Sequence, residues 1–122
     1  MATKRSSFLL IQPREAAALG RLVNLPMTGA LPPGAVIDSV DSVIQEKITG
    51  KDTAGETRDD TTDLTLGPAA FDNAAEFGPT VQFRITGAGL VSGQWYLLTV
   101  VVTTDGGETA EEEGYLLIKD AP

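Results

Sequence analysis

Between Trp95 and Ile118 the sequence WYLLTVVVTTDGGETAEEEGYLLI places two β-favouring runs around a DGG turn, and no other stretch restricts the fold as much. β-Branched and aromatic residues crowd Trp95–Thr104, and their stiff side chains suit a pleated surface. Alternation puts Tyr96, Leu98, Val100 and Val102 on one face and Leu97, Thr99, Val101 and Thr103 on the other. Thr104-Asp105-Gly106-Gly107-Glu108 supplies the positive-φ residues of a hairpin loop. The return through Thr109–Ile118 is acidic first (Glu111, Glu112, Glu113) and apolar afterwards (Tyr115, Leu116, Leu117, Ile118). Two antiparallel strands closing a domain are the expectation.

Upstream, TVQFRIT at 80–86 alternates cleanly, with Val81, Phe83 and Ile85 on one side and Gln82, Arg84 and Thr86 on the other. Three strands joined by short glycine-rich turns predict an all-β antiparallel sandwich whose interior holds Val81, Phe83, Ile85, Tyr96, Leu98, Val100 and Val102. GAVIDSVDSVIQEKIT at 34–49 fits two patterns. Val36, Val40, Ile44 and Ile48 share strand parity, yet they also lie four apart, as on a helix. Val and Ile enrichment favours the strand, with a bulge letting Ile37 and Val43 share the core side; a helix is the alternative. Polar KDTAGETRDDTTD at 51–63 reads as an exposed loop and LTLG at 64–67 as a short strand. PAAFDNAAEFGP at 68–79 has room for one helical turn with Phe71 and Phe77 tucked inward. SFLLIQ near the start reads as an extended arm or edge strand, and REAAALGRLVNL at 14–25 is helix-permissive.

With 122 residues, 42% of them hydrophobic, one core suffices. A net charge of −8 argues against nucleic acid and against an anionic membrane face, and favours a basic protein partner. Cysteine and histidine are both absent. That removes disulfides, thiolate zinc sites, thiol nucleophiles and imidazole-based triads. Lys4 and Arg5 precede only a short apolar stretch, Phe8–Ile11, so no secretory signal is expected, and no run approaches the length of a membrane span.

The clustered carboxylates Asp52, Glu56, Asp59, Asp60 and Asp63 lack the alternating spacing and central glycine of a calcium loop, so a solvated loop is the plainer reading. Glu111, Glu112 and Glu113 could dock a basic partner, or could charge an edge strand against unwanted pairing. A pair of carboxylates could in principle hydrolyse a glycoside, although sequence does not bring any two into one cleft. Gly87-Ala88-Gly89 and Gly106-Gly107 are turns, since no helix start follows to cradle phosphate. Tyr96 reads as a core or corner residue, and Trp95, of opposite parity, as the surface residue able to stack on a partner.

The run VQFRITG, a loop ending GQWY, then LLTVVVTTDGGE and a last apolar strand resembles the C-terminal half of tailed-bacteriophage fiber–tail adaptor proteins, small virion components with an immunoglobulin-like sandwich. The family's strand, GG-type turn, tyrosine-led TVTT-like strand, DG turn and closing strand correspond here to Val81–Gly87, Gly89–Gly93, Tyr96–Thr104, Asp105-Gly106 and Tyr115–Ile118. Its tryptophan and its Asp- and Tyr-rich segment are replaced in this chain by REAAALGRLVNLPMTGALPPG. The resemblance implies an N-terminal arm or edge segment at 1–33 and an immunoglobulin-like sandwich at 34–122. It implies a non-enzymatic virion protein, made in the host cytoplasm without a signal peptide, that adapts neck, tail or fiber components to one another. No cofactor, metal or catalytic residue is expected. The expected partners are other virion proteins (connector, tail, fiber or capsid) and further copies in a homo-oligomeric ring. Trp95, Glu111, Glu112 and Glu113 are the expected contact residues. A capsid decoration protein and an immunoglobulin-like carbohydrate-binding module are the alternatives.

Overall fold

The computed structural model describes residues 4–5, 9–11, 20–52, 55–59 and 63–119, with side chains described outside 4–5, 9–11, 51–52 and 55–56. Its strands are β1 (Lys4–Arg5), β2 (Leu9–Ile11), β3 (Arg21–Pro26), β4 (Ile37–Asp52), β5 (Gly55–Asp59), β6 (Thr65–Leu66), β7 (Ala70–Asp72), β8 (Thr80–Thr86), β9 (Trp95–Thr104) and β10 (Thr109–Ile118). Among the described residues there is no helix. One sheet runs β1-β10-β9-β4-β5, with β2 also on β10; the other runs β3-β8-β6, with β7 also on β8. Pairing is antiparallel throughout, except that β1 and β2 run parallel to β10. The chain is an all-β protein in which the two sheets pack face to face.

The β9–β10 hairpin forms as its alternation demands, in unbroken register from Thr103 opposite Thr109 to Trp95 opposite Leu117. Its turn closes through Thr104 N–H donating to the Glu108 carbonyl (2.8 Å) and Gly107 N–H to the Thr104 carbonyl (2.9 Å). The seven residues expected to fill the sandwich from β8 and β9 do so: Val81, Phe83, Ile85, Tyr96, Leu98, Val100 and Val102 are all buried. They join Val23, Leu25, Met27, Leu31, Ile37, Leu64, Ala110, Leu116 and Ile118 in one cluster between the sheets. β3, at the edge of its sheet, and the turn after it contribute to the same interior.

β4 is a strand, so the helical alternative for 34–49 falls. Its face assignment differs from simple parity. Register steps between Ile37 and Ser39, and between Val40 and Ser42, leave Asp38 and Asp41 as extra residues in two bulges. Ile37, Val40 and Val43 consequently lie opposite Thr104, Val102 and Val100 and pack on the core, whereas Ile44, opposite Thr99, is exposed. A charged residue at the extra position points out at no cost, and the two apolar residues beside it stay in.

Four further expectations are corrected. Residues 21–26 of the helix-permissive stretch form β3, because Val23 and Leu25 alternate into the core while Leu22 and Asn24 do not; 14–19 lie outside the described residues. The polar segment expected as a loop supplies the end of β4 at Lys51–Asp52 and all of β5, while 53–54 and 60–62 lie outside the described residues. Residues 70–72 form a strand followed by turns rather than a helical turn; Phe77 is 70% exposed, and Phe71, although opposite Val81 in the register, is 40% exposed rather than tucked in. β10 is not an edge strand, since β9 flanks one side and β1 and β2 the other.

Two side-chain amides link the sheets by mimicking backbone pairing. Gln45 on β4 donates through Nε2 to the Leu64 carbonyl (2.6 Å) and accepts the Leu64 N–H on Oε1 (3.0 Å). Asn73, just after β7, accepts the Ile37 N–H (2.8 Å) and donates to the Ile37 carbonyl (3.0 Å). Each amide satisfies both backbone groups of one residue, which buried peptide units require.

Candidate functional site

The start of β9 carries the side chains of most chemical interest, on both faces of its sheet. On the outward face, Trp95 stands between Ile48 of β4 and Leu117 of β10. Its ring meets Tyr115 edge to face, with centroids 6.2 Å apart and planes at 88°. That arrangement sets the positive ring edge of one residue against the negative face of the other. Trp95 stays 37% exposed, so part of the indole is available to a partner.

Leu97 is next on the same face, and it is completely buried although no second sheet covers it. Register puts Tyr115 on one side of it and Glu46 on the other. Arg58 reaches from β5 to Glu46 (Nη1–Oε1 3.7 Å) and to Glu113 on β10 (Nη1–Oε2 3.9 Å), so its guanidinium spans the strand that bears Leu97. A guanidinium is weakly hydrated and flat, which suits it to lie over an apolar residue while its nitrogens stay paired. Glu111 and Glu113 share this outward face and are half-buried. Glu112 points the other way and is buried, so its side chain is no part of the exposed surface. Of the expected contact residues, then, Trp95, Glu111 and Glu113 share a face and Glu112 does not.

On the inward face, Tyr96 is buried and donates its hydroxyl to Asp63 Oδ2 at 2.8 Å. Lys47, opposite Tyr96 in the register, pairs with the same oxygen at 3.1 Å. The Tyr96 hydrogen bond, and after it Lys47, hold the Asp63 carboxyl below the usual carboxylate range. Burial, and after it the hydrogen bond to Asp63, push the Tyr96 phenol well above its ordinary value. These residues and Gln94, with the 88–91 loop, line an open pocket of about 270 Å³. Gln94 Nε2 donates to the Ile48 carbonyl at 3.0 Å, fixing that loop against β4. The phenol is locked as a donor to a carboxylate already shared with an ammonium, so the cluster satisfies the hydrogen-bonding need of a buried hydroxyl.

Asp63 was legible only as one of several loop acids. A buried tyrosine needs a partner for its hydroxyl, which is the signal that could have singled out some acid, but sequence does not say which. Arg58 and Leu97 gave no signal, since their association depends on the order of strands across the sheet. Among the described residues no group of acidic side chains is arranged to hold a metal ion, and no helix is long and apolar enough to cross a membrane. No protein-family model matches the sequence, and no curated protein or solved structure matches it either.

Proposed function

We propose that this chain is a non-enzymatic structural component of a tailed-bacteriophage particle, an adaptor in the neck or tail region built on an immunoglobulin-like sandwich. The observation that carries the reading is where the family-like stretches fall. Val81–Gly87, Tyr96–Thr104 and Tyr115–Ile118 coincide with β8, β9 and the apolar half of β10, the strands at the middle of the two sheets. Strand order supports the immunoglobulin-like assignment. β3-β8-β6 corresponds to B-E-D and β10-β9-β4-β5 to G-F-C-C′, and the short N-terminal strands run parallel to the last strand. Tyr96, at the start of the F-like strand, stands where a corner tyrosine would, although its hydroxyl goes to the Asp63 side chain rather than to backbone.

The mechanism is geometric. A rigid two-sheet core presents the outward face around Trp95, Glu111 and Glu113 to neighbouring virion proteins, and copies of the chain assemble as a ring. Each contact is weak, and repetition around the ring makes the assembly strong. Mass spectrometry and immuno-labelling of purified virions test the reading. Labelling at the neck or tail is expected, label confined to tail-less heads would instead mark a decoration protein, and absence from mature particles refutes both.

A carbohydrate-binding module is the second reading, favoured by the half-exposed indole of Trp95 set against Tyr115. Glycan-array binding that disappears in Trp95→Ala would establish it at the expense of the first.

A further inference from the structure

Lysine and arginine are absent from 22–46, 59–83 and 85–118. The fold gathers parts of those three segments at one end of the sandwich. There β3 ends, β4 and β8 begin, and β9 turns into β10; Pro26 pairs with Thr80, Asp72 with Thr80, and Ile37 with Thr104. Asp105 ties this end together, its N–H donating to the Val36 carbonyl and its carboxylate accepting the Val36 N–H. Asp38, Asp41, Asp72, Glu76, Asp105 and Glu108 are all exposed around it. The described cations lie elsewhere. Lys4, the nearest along β10, lies opposite Glu112 in the strand register, three residues in from Thr109.

Phe77 stands in this acidic surround at 70% exposure, with Phe71 and Val36 also exposed on the same end. Its exposure is not that of a loose loop. Thr28 Oγ1 donates to the Phe77 carbonyl (2.8 Å), Met27 N–H to Pro79 (2.8 Å), Gly78 N–H to Ala75 (3.0 Å) and Thr80 Oγ1 to Gly78 (2.9 Å). Gly78 adopts φ 89°, and a side chain there would collide with the Thr28 hydroxyl. The turn is fixed in a form that holds an aromatic ring out in water. An aromatic carried on a fixed backbone has less freedom to lose on binding than one on a loose loop, which suits it to be an interface anchor.

We propose that this end docks a basic amphipathic protein segment, one that packs apolar side chains on Phe77 while its lysines or arginines meet the surrounding carboxylates. Charge selects the occupant. A second copy offering the same end would bring like charges together, and the other end of the sandwich carries both signs (Arg21, Arg84 and Lys47 with Glu46, Asp59 and Asp63). The acidic rim speeds encounter with a cationic partner and makes the association salt-sensitive. This surface is separate from the Trp95 face, since Trp95 and Thr104 sit at opposite ends of β9, about 30 Å apart at strand rise. The inference does not depend on a virion role.

The test uses the full chain with three synthetic probes: a Lys-Leu repeat peptide, a Glu-Leu repeat and a Lys-Ser repeat. Only Lys-Leu should bind, about tenfold more weakly to Phe77→Ser, and about tenfold more weakly again when salt is raised until charges screen within a few ångströms. Asp105→Asn with Glu108→Gln, which keeps the acceptor for Val36, should reduce binding and flatten the salt dependence. Trp95→Ala should bind as wild type. Equal binding by Phe77→Ser, equal binding of Glu-Leu, or loss on Trp95→Ala alone overturns the proposal. So does a concentration-dependent dimer in analytical ultracentrifugation that Phe77→Ser abolishes, because it would make a second copy the occupant.

Discussion

Replacing Tyr96 with phenylalanine removes a single oxygen from the core and leaves the packing of the ring unchanged. The hydroxyl donates to Asp63, which is charged, and hydrogen bonds to charged groups contribute about 1.5–3 kcal/mol. Asp63 keeps Lys47 in the variant and its side chain is 31% exposed, so water partly replaces the lost donor and the low end of that range, about 1.5 kcal/mol, applies. For a domain of this size, with a urea dependence of about 1.5 kcal/mol per molar, the unfolding midpoint should fall by about 1 M at pH 7. The pH dependence has a definite sign. Asp63 binds its proton less tightly in the folded chain than in the unfolded one, so it contributes stability above the unfolded value, about pH 4, and loses it as the pH falls through the folded value. Phenylalanine removes the larger cause of that depression, so the gap between wild type and variant should narrow as the pH falls below about 4. The phenol itself is raised, so its contribution is complete below about pH 10 and declines as the pH rises through its folded value. Tyr96→Phe should therefore abolish an alkaline loss of stability that wild type shows. Urea titrations followed by Trp95 fluorescence at pH 7, 3 and 10.5 would measure all three arms. A gap below about 0.5 kcal/mol at pH 7, or one that widens on acidification, would show that the hydroxyl is solvated and that Asp63 is not its partner.

Other expectations follow from the packing and the links between sheets. Leu97→Ala should cost about 2–3 kcal/mol, as at an interior position, whereas Arg58→Ala should cost under about 1 kcal/mol and less still in high salt; denaturant unfolding in low and high salt separates the two. Gln45→Ala leaves the Leu64 N–H and carbonyl without their amide partner and should lower stability by about 2 kcal/mol, with amide exchange quickening at Leu64 ahead of the β9–β10 hairpin. Gly20 has φ 77°, and a methyl there would press on the Ile85 carbonyl oxygen (2.5 Å) and the Thr86 methyl, so Gly20→Ala should cost about 2 kcal/mol and lower the melting temperature by about 6–10 °C.

The parts of the fold that could be read directly were those whose side chains repeat at the period of a strand. β8 and β9 alternate without interruption, so their inward residues were fixed by counting, and all of them are buried. In β4 the expected bulge does bring Ile37 and Val43 to the core side, but there are two bulges, and the residues responsible, Asp38 and Asp41, look like ordinary polar positions in sequence, so counting alone does not place them. β3 was masked by alanine and leucine, which suit a helix locally; pairing with Phe83 and Val81 on β8 overrides that weak preference. The aromatics at 71 and 77 were expected inside because burial is the usual fate of phenylalanine, yet a glycine turn pinned by Thr28 keeps Phe77 out. Trp95 was assigned to the surface by parity alone. Its neighbours could not be, because Arg58, Glu46 and Glu113 come together only once β5, β4, β9 and β10 are laid side by side.

That lateral assembly also explains why the exposed chemistry of the chain is divided rather than gathered into one cleft. In a sandwich, the inward positions are spent on the core, and the outward positions of adjacent strands form a flat surface on which charges pair sideways, as Arg58 does with Glu46 and Glu113. The strand ends are different. There the register runs out, bulges and turns release residues from both faces, and like charges can accumulate because no sheet neighbour compels pairing. Asp38 is released by a bulge, Asp105 and Glu108 by the β9–β10 turn, and Asp72 and Glu76 by the end of β7. Repulsion among them is tolerable at exposed sites, where water and salt screen it. The fold thus offers a flat face of mixed charge around Trp95 and an acidic end that displays Phe77. A chain that bridges two different neighbours requires two such surfaces of unlike chemistry. If Trp95→Ala and Phe77→Ser abolished binding to the same partner, one contiguous footprint would have to span about 30 Å of β9, and the two-surface account would fail.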